Sequence, residues 1–283
     1  MAERKRRGGG RSARQAERQK PKSHTVPYIK RNIPVYNLLN EEGLSLIENN
    51  ADTILQEIGI DFRGDPEALA ILKDAGADVK EERVRFPKGM CQSLIRDTAP
   101  KEFIQHARNP ERNVVIGGEN LVLVPAYGSP FIRNVEEGRR YATIEDFRNF
   151  VKLAYLSPEL HHSGGTICEP VDLPVNKRHF DMVYTHMRYS DKPFMGSVTA
   201  PERAEDTVEM AKILFSADFI DNNTVITSLI NANSPMVWDS TMLGAMTAYS
   251  RTNQAVVVSP FCISGAMSPV TVAATSSQLY AEA

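Results

Sequence analysis

The stretch QAVVVSPFCISGAMSPVTVAATSSQLYAEA, residues 254–283, decides which fold this chain adopts. Its apolar run is typical of a buried strand, a loop of small residues follows at once, and a helical pattern comes after the loop. We expect this helix to start with Ser268 as the N-cap and Pro269 at the first helical position. A strand, a short loop and a helix in this order are the repeating unit of proteins built around a parallel sheet.

The same unit recurs upstream, starting at Thr143, which stands three residues before Asp146 as in a capping box. Strand starts lie roughly thirty residues apart, the length of one βα unit. We predict strands in HSGGTIC (162–168), PFMGSVT (193–199), TVITSLI (224–230) and AVVVSPF (255–261). We predict helices in TIEDFRNFVKLAYL (143–156), NKRHFDMVYTHMRYS (176–190), PERAEDTVEMAKILF (201–215) and DSTMLGAMTAYS (239–250). This alternation indicates an α/β fold with a parallel sheet.

An open doubly wound sheet and a (β/α)8 barrel both satisfy this alternation. The chain has neither G-x-G-x-x-G after a strand nor the phosphate-loop pattern G-x-x-x-x-G-K-[ST], so nucleotide-binding doubly wound folds lose support. With LVLVPAY (121–127) as the first strand, five strands are present, whereas a complete barrel has eight. We therefore predict a (β/α)8 TIM-type barrel that is incomplete here: residues 119–283 form its first part and its C-terminal units are missing.

Two further regions precede the barrel. Residues 33–118 show helical patterns and short strand-like runs, and we interpret them as a small α+β lead-in. Residues 1–32 are predicted to be a basic disordered tail, because residues 1–22 hold nine Lys/Arg against two Glu and have almost nothing to bury. The tail has no interleaved aromatic residues and no nucleic-acid motif follows it, so its charge does not favour a nucleic-acid partner.

The composition places the chain among ordinary globular proteins, since 42% of its residues are hydrophobic and 24% are charged. It has no run of about eighteen apolar residues, so we predict no membrane span. The three cysteines, Cys91, Cys168 and Cys262, are far apart and form no C-x-x-C pair. We therefore expect a reducing, cytoplasmic location and no disulfide framework.

The active sites of such barrels lie at the C-terminal ends of the strands. The strand ends of this chain carry aromatic, hydroxyl and amide side chains with one carboxylate. We predict a substrate site from six of them: Tyr127, Phe131, Glu169, Asn231, Trp238 and Phe261. Aromatic faces and a lone carboxylate suit a quaternary ammonium group, which cannot donate hydrogen bonds. A competing interpretation is that Phe131 and Phe261 only pack in the barrel core.

The same rule sorts the other polar residues. His161, His162 and Lys192 precede their strands, so we expect them at the opposite end of the barrel, where residues serve stability. His179 and His186 fall on an outer helix and are interpreted as surface or packing groups. No residue is assigned a catalytic role.

Four motifs resemble those of the trimethylamine methyltransferase family, the corrinoid-dependent barrel enzymes that demethylate methylamines and quaternary amines. They are SPFCISGAMSPVTVAA (259–274), YATIEDFRNFVKLAYLSPEL (141–160), DLPVNKRHFDMVYTHMRYSDKPFMG (172–196) and NANSPMVWDSTMLGAM (231–246). The resemblance extends from Ile33 to residue 283, and the basic RRGGGRSARQ (6–15) is similar to the start of bacterial members.

The resemblance implies a (β/α)8 barrel that moves a methyl group from a methylated or quaternary amine, such as trimethylamine or a betaine, to the Co(I) of a corrinoid. The corrinoid (cobalamin) would be carried by a partner protein and not bound by this chain. The loop of Ser264, Gly265, Ala266 and Met267 would face the substrate pocket or the corrinoid. We also expect a homo-oligomer.

Two other functions stay open. A zinc-dependent barrel methyltransferase would use Cys168 or Cys262, but these cysteines lack metal-ligand spacing, and we predict no metal site. A non-catalytic barrel that binds betaine-like solutes would use the same aromatic site without transferring a methyl group.

Overall fold

The computed structural model describes residues 29–283. Residues 1–28, most of the predicted basic tail, lie outside the described residues. The helices are α1 (Glu41–Glu57), α2 (Pro66–Asp74), α3 (Met90–Thr98), α4 (Ile144–Leu156), α5 (Arg178–Tyr189), α6 (Pro201–Phe215), α7 (Ala217–Asn222), α8 (Ser240–Ser250) and α9 (Val272–Glu282). The strands are β1 (Ile29–Lys30), β2 (Ile60–Arg63), β3 (Asp78–Lys80), β4 (Arg83–Arg85), β5 (Glu102–Gln105), β6 (Val114–Gly117), β7 (Asn120–Leu121), β8 (Phe131–Asn134), β9 (Gly138–Tyr141), β10 (Phe194–Met195), β11 (Ile226–Asn233), β12 (Val237–Asp239) and β13 (Ala255–Phe261).

The lead-in combines helices with small antiparallel sheets. α1 begins after Asn40, whose side chain accepts a hydrogen bond from Gly43 N at 2.9 Å. α2 begins after Asp65 with Pro66 at its first position, and the chain leaves it at Gly76, which has φ +106°. β2, β4 and β3 lie side by side in that order, and Val84 at their centre is fully buried. β1, at the end of the range assigned to the tail, pairs with β7.

Five extended segments of the chain run in the same direction and lie side by side in sequence order. Three of them are β10, β11 and β13, and both neighbours of β11 are parallel to it. The segment 161–169 lies beside β10, because Ser163 N donates to Pro193 O at 2.8 Å and Met195 N donates to Gly164 O at 2.9 Å.

The segment 121–130 lies beside the segment 161–169 and forms the edge of the array opposite to β13. Gly128 N donates to Thr166 O at 2.9 Å, and Glu169 N donates to Ser129 O at 3.3 Å. Residue numbers rise together in these two bonds, so segments 121–130 and 161–169 are parallel. The predicted order of five parallel segments is therefore confirmed.

Segments 121–130 and 161–169 are nevertheless not regular strands, apart from β7 at the start of the first. The prediction of strands in HSGGTIC and in most of LVLVPAY is wrong in this respect. Gly164 has φ +89°, which a strand residue does not adopt. A Cβ built on Gly128 would lie 1.6 Å from Ile167 O, so the two backbones approach more closely than a side chain would allow.

The predicted helices of the array form nearly as expected. α4 has the predicted capping box: Thr143 accepts from Asp146 N through its hydroxyl, and the Asp146 carboxylate accepts from Thr143 N at 2.8 Å. α6 has the predicted bounds, and α5 and α8 are shorter than predicted by a few residues at most. A core of apolar side chains lies between these helices and the array, with Ile226, Ile230 and Tyr249 fully buried.

The start of α9 differs from the prediction. Its N-cap is Thr271, which accepts from Ala274 N, and not Ser268. The expectation for Ser268 and Pro269 is wrong because their carbonyls serve a turn instead. Ser268 O accepts from Gly265 N at 3.0 Å, and Pro269 O accepts from the Thr275 hydroxyl at 2.7 Å.

β12 joins the array to the lead-in. It returns antiparallel to β11 after a tight turn and then pairs with β2, so that Trp238 stands beside Phe62. Both residues belong to the large hydrophobic core. The fold is therefore a mixed α/β structure in which the small sheet of the lead-in continues from the carboxyl end of β11.

The amino ends of β10 and β11 are held by the lead-in. The buried Gln105 of β5 donates to Phe194 O at 2.9 Å and to Val225 O at 3.0 Å. Its amide oxygen faces His162 Nε2 at 3.2 Å, and His162 Nδ1 accepts from Gly164 N at 2.8 Å. Burial lowers the pKa of His162 to about 3, so the ring is neutral and structural, as its position before the strand predicted.

Candidate functional site

The face of the array that points away from the outer helices carries the polar strand ends. Ile226 and Ile230 of β11 point into the core, so the alternate residues of β11 point to the other face. Asn231 pairs in register with Ser259 of β13, and Asn233 pairs with Phe261. Asn231 and Phe261, both predicted site residues, therefore share one face of neighbouring strands.

Tyr127 reaches the same face from the first segment. A Cβ built on Gly165 would lie 2.7 Å from the Tyr127 hydroxyl and 3.0 Å from Met195 Cβ, so the hydroxyl lies on the Met195 side of the sheet. Met195 pairs with Thr227, which is on the Asn231 face of β11. The absence of a side chain at Gly165 thus makes the space that the Tyr127 hydroxyl occupies.

The Tyr127 hydroxyl has no hydrogen-bond partner among residues 29–283. Tyr127 is 41% exposed as a whole, but its hydroxyl lies against the backbone at Gly165. Burial raises the pKa of Tyr127 to about 12. This hydroxyl is therefore available to bond a ligand or a water.

A second tyrosine, which the sequence did not single out, lies behind the sheet. Tyr249 of α8 donates its hydroxyl hydrogen to Ser197 O at 2.6 Å, and it packs where a Cβ on Gly196 would lie only 2.2 Å from the hydroxyl. Burial and the nearby Tyr127 raise the pKa of Tyr249. Two glycines of adjacent segments therefore each accommodate one tyrosine hydroxyl, on opposite faces of the sheet.

Glu169, the predicted lone carboxylate, is not alone. Its carboxylate is ion-paired with the guanidinium of Arg178, at the start of α5. Arg178 also reaches Pro170 O at 3.4 Å. The end of the second segment therefore presents a pair of opposite charges and not an unpaired negative charge.

Phe131 lies on the hairpin of β8 and β9, which follows the end of the first segment. Its ring contacts Tyr141 at a centroid distance of 4.6 Å, and the Arg139 guanidinium lies 3.9 Å from its centroid. A cation already covers one face of this ring. The ring contacts recorded for Phe131 are thus with Tyr141 and Arg139 of its own hairpin.

Trp238 is placed elsewhere, in the hydrophobic core. It is 5% exposed, and its indole N–H donates to Glu282 O at 3.3 Å. The reason is that β12 turns back from β11 to pair with β2, which carries the indole away from the face of Asn231.

The loop of Ser264, Gly265, Ala266 and Met267 forms a turn that is also bonded to α9: Met267 O accepts from Gln278 Nε2 at 2.9 Å, and the Ser264 hydroxyl accepts from the Thr275 hydroxyl at 3.1 Å. Gly265 has φ +80°, and both Ala266 N and Met267 N donate to Ile263 O. The Ser264 hydroxyl donates within the turn, to Pro269 O and Val270 O at 3.0 Å each. The small residues are explained by this turn, and no described contact joins the loop to the residues around Tyr127.

The thiols do not assemble with other ligands in the described part of the chain. Cys168 is buried, and this burial raises its pKa to about 12, which disfavours the thiolate that binds metals. Cys262 contacts Gln278 Nε2 at 3.7 Å. Residues 29–283 contain no cluster of three or more His, Cys, Asp or Glu side chains with metal-binding geometry.

His179 and His186 are both buried, so their interpretation as packing groups holds and the surface alternative is wrong. His186 bonds through both ring nitrogens, to the Ser163 hydroxyl at 2.7 Å and to Gly165 O at 2.9 Å. His179 bonds through Nε2 to Asp206 at 2.8 Å, whereas its buried Nδ1 has no partner among the described residues. The seven-residue spacing, which puts both rings on one helix face, was the available sequence signal.

A small cavity adjoins His179. It measures about 20 Å³ and is lined by α5, by the segment 161–169 and by residues 195–197. The lining residues are Gly165, Thr166, His179, Met182, Val183, His186, Met195, Gly196 and Ser197. A void needs roughly 10–15 Å³ of such space to hold one water, so this cavity accommodates a water molecule beside the His179 ring.

Comparison with known proteins places this chain. Residues 7–283 match the family model of trimethylamine methyltransferase. The chain belongs to the trimethylamine methyltransferase family. It is also 45% identical over 251 residues to glycine betaine methyltransferase of Desulfitobacterium hafniense (strain Y51), a match that covers 88% of this chain and 52% of that protein. The chain therefore spans about half the length of this curated relative.

Two solved methyltransferase structures are more distant. The crystal structure of the Methanosarcina barkeri monomethylamine methyltransferase gives a TM-score of 0.48 at 12% identity, over 85% of this chain and 56% of that chain. The hydroxylamine complex of MtmB gives a TM-score of 0.47, also at 12% identity and with the same coverage. Among residues 29–283, no helix has the length and apolar character needed to cross a membrane.

Proposed function

We propose that this chain carries part of the substrate site of a methyltransferase that moves a methyl group from a betaine-like quaternary amine to the corrinoid of a partner protein. The observation that carries the proposal is the 45% identity to a relative named glycine betaine methyltransferase, within a family of methylamine methyltransferases. The cytoplasmic location expected from the cysteines is part of the same proposal.

The proposed architecture is a (β/α)8 barrel. Its support is the array of five parallel segments in sequence order, with α5, α6 and α8 each following one segment and preceding the next. Parallel βα units that continue in this sequence order close into a barrel at eight strands. The carboxyl ends of the segments would then surround one mouth, where Tyr127, Asn231 and Phe261 lie.

The substrate group to be recognised is a quaternary ammonium, which offers methyl groups and a positive charge but no N–H. Aromatic ring faces attract such a cation, by up to about 2 kcal/mol each when water is excluded. Tyr127 and Phe261 supply rings on the proposed inner face, and Asn231 supplies an amide between them. These three residues are the proposed binding residues of this half of the site.

The ion pair at the end of the second segment favours a betaine over trimethylamine. A simple cation would have to compete with Arg178 for the Glu169 carboxylate. A betaine carries one positive and one negative group, so it meets both members of the pair with opposite charges and leaves neither unpaired. Arg178 is 16% exposed and Glu169 is 37% exposed, so the pair is partly shielded from water, and this charge complementarity is the proposed source of specificity.

In the proposed reaction, the main role of this chain is to bind the substrate and to orient it. When a methyl group leaves a quaternary nitrogen, the electron pair of the C–N bond stays on nitrogen and the amine departs neutral, so no acid catalyst is required. The partner's corrinoid would supply the Co(I) nucleophile that accepts the methyl group. Alignment of the N–methyl bond toward the mouth of the barrel lowers the entropic part of the barrier.

The test is a methyl-transfer assay with the full-length protein, a reduced corrinoid carrier protein and a panel of glycine betaine, other betaines, trimethylamine and dimethylamine. We expect methylation of the corrinoid, followed by its absorbance spectrum, with glycine betaine and not with dimethylamine. Reaction with trimethylamine alone would reject the betaine assignment. Binding of glycine betaine without any methyl transfer would favour the solute-binding alternative, and stoichiometric zinc required for activity would favour the zinc-dependent one.

A further inference from the structure

The hairpin of β8 and β9 stands at the carboxyl end of the first segment. Its base is closed by Ala142 N, which donates to Pro130 O at 2.8 Å. Its tip is the turn after Asn134, where Val135 is completely exposed. In the proposed barrel, this hairpin is the first loop of the mouth and projects beside the substrate site.

The two faces of the hairpin have different surroundings. Ile132 packs against the core of Phe147 and Ala142, so its face points into the protein. On the same face, the Arg140 guanidinium donates two hydrogen bonds to the Asp146 carboxylate, at 2.6 and 2.9 Å, and one to Glu137 at 2.6 Å. This inward face has an internal explanation.

The outward face instead leaves two arginines without an ion pair among residues 29–283. Phe131 pairs in register with Tyr141, and Arg133 pairs with Arg139, so these four side chains share the face opposite to Ile132. We call them the outward hairpin face. Arg133 and Arg139 are exposed, and within residues 29–283 neither has an acidic side chain within 4.0 Å.

This arrangement is unfavourable for a free hairpin. Like charges placed directly opposite each other in a strand pair destabilise it, and Cα atoms at such positions are only about 4.5–5.5 Å apart. Arg139 is in addition held in place by its stacking on Phe131, so its guanidinium is positioned before any partner arrives. A negatively charged surface brought against both guanidinium groups would remove the repulsion.

We infer that the outward hairpin face is a docking surface for a protein with an acidic face, and that in the proposed function this protein is the corrinoid carrier. The inference rests on the proposed function for the identity of the partner. Exposed arginine and aromatic side chains have the composition of binding hot spots, and at the tip the exposed Val135 is followed by Glu136 and Glu137. Charges at the rim of an interface also accelerate encounter with an oppositely charged partner.

Other occupants fit less well. A small anion is normally held in a concave site, whereas Arg133, Arg139, Val135 and Tyr141 are all exposed on a two-stranded projection. Nucleic acid is normally held by many Lys and Arg side chains that each neutralise a phosphate, whereas this face offers two arginines.

The test compares the full-length wild type with the double charge reversal R133E/R139E. The matched control is K88E/R96E, which changes the net charge equally at exposed positions of the lead-in. Two quantities are measured: the Kd for a purified corrinoid carrier protein at low and high salt, and the rate of methyl transfer to that carrier and to free cob(I)alamin. Free cob(I)alamin needs no docking surface, so it reports on the substrate site alone.

We expect R133E/R139E to weaken carrier binding at least tenfold at low salt and to flatten its salt dependence, with an unchanged rate toward free cob(I)alamin. The control should bind as the wild type does. Equal loss in both variants, or unchanged carrier binding in R133E/R139E, would overturn the inference while leaving the proposed function intact. If the reversal instead dissociates a homo-oligomer and spares carrier binding, a second copy is the occupant and the inference is wrong. A wild type that binds the carrier but methylates neither acceptor would contradict the proposed function and not the docking surface.

Discussion

Replacement of Lys192 by methionine should destabilise the protein strongly, although the residue is a buried charge. Lys192 is 3% exposed, and its ammonium donates to three carbonyls: Ala154 O at 2.8 Å, Ser157 O at 2.9 Å and Leu160 O at 2.8 Å. Ala154 lies in the last turn of α4, where backbone carbonyls have no partner within the helix. The ammonium therefore closes the end of this helix and the loop that follows it.

Two opposing free energies decide the outcome of K192M. Burial, with a contribution from Arg112, lowers the pKa of Lys192 from 10.5 to about 8, and holding the charge at pH 7 therefore costs up to about 3 kcal/mol. The substitution removes this cost. It also leaves three carbonyls without a donor, at about 1–3 kcal/mol each. The second effect is larger, so we expect a net loss of about 2–4 kcal/mol.

The measurement is the free energy of unfolding of the full-length protein in urea, at pH 7, for K192M and for K212M. Lys212 is a suitable control because it pairs with Glu209 on the surface of α6, at 2.8 Å, and such pairs contribute roughly 0–1 kcal/mol. If K192M were as stable as K212M, the three carbonyls would not depend on the ammonium and the reasoning above would be refuted.

Four further outcomes are expected from the geometry of single residues. D146N should lose about 2 kcal/mol of unfolding free energy at pH 7, because it weakens the bond with Arg140. The Arg140 guanidinium holds the pKa of Asp146 well below its usual range, so the wild type loses this stabilisation as the pH falls through that pKa. Unfolding free energies measured at decreasing pH should therefore converge for the two proteins. G196A should destabilise by about 1–3 kcal/mol in thermal unfolding, since its Cβ would lie 2.2 Å from the Tyr249 hydroxyl. Y127F should leave the Tm unchanged but raise the KM for glycine betaine, because it removes a hydroxyl that has no partner in the described chain. A high-resolution crystal structure should show a water bonded to His179 Nδ1, and an empty cavity there would contradict the assignment.

The sequence predicted best those elements whose local signals agree with their packing. α6 begins at Pro201 and ends at Phe215 as predicted, and the Thr143–Asp146 capping box forms as its spacing indicated. These features depend on a few neighbouring residues, which is why periodicity and capping rules suffice for them.

The predictions were wrong where contacts with residues outside the local pattern determine the structure. Ser268 and Pro269 have the composition of a helix start, but their carbonyls bond to Gly265 and Thr275 instead. Trp238 follows a strand end, yet the pairing of β12 with β2, far away in sequence, moves it into the core. The position of a residue at a strand end does not indicate which distant strand will pair with the segment that follows.

Gly165 and Gly196, in adjacent segments of the array, are the same residue type but have different consequences. No sequence pattern assigned a role to Gly165 or Gly196, whereas in the structure each makes room for one tyrosine hydroxyl, on opposite faces of the sheet. On the Gly196 side the hydroxyl is satisfied by Ser197 O and locks α8 to the array. On the Gly165 side the Tyr127 hydroxyl has no such bond in residues 29–283. A glycine thus stabilises the packing of α8 at one position, and at the other it leaves a polar group available on the face of the proposed substrate site.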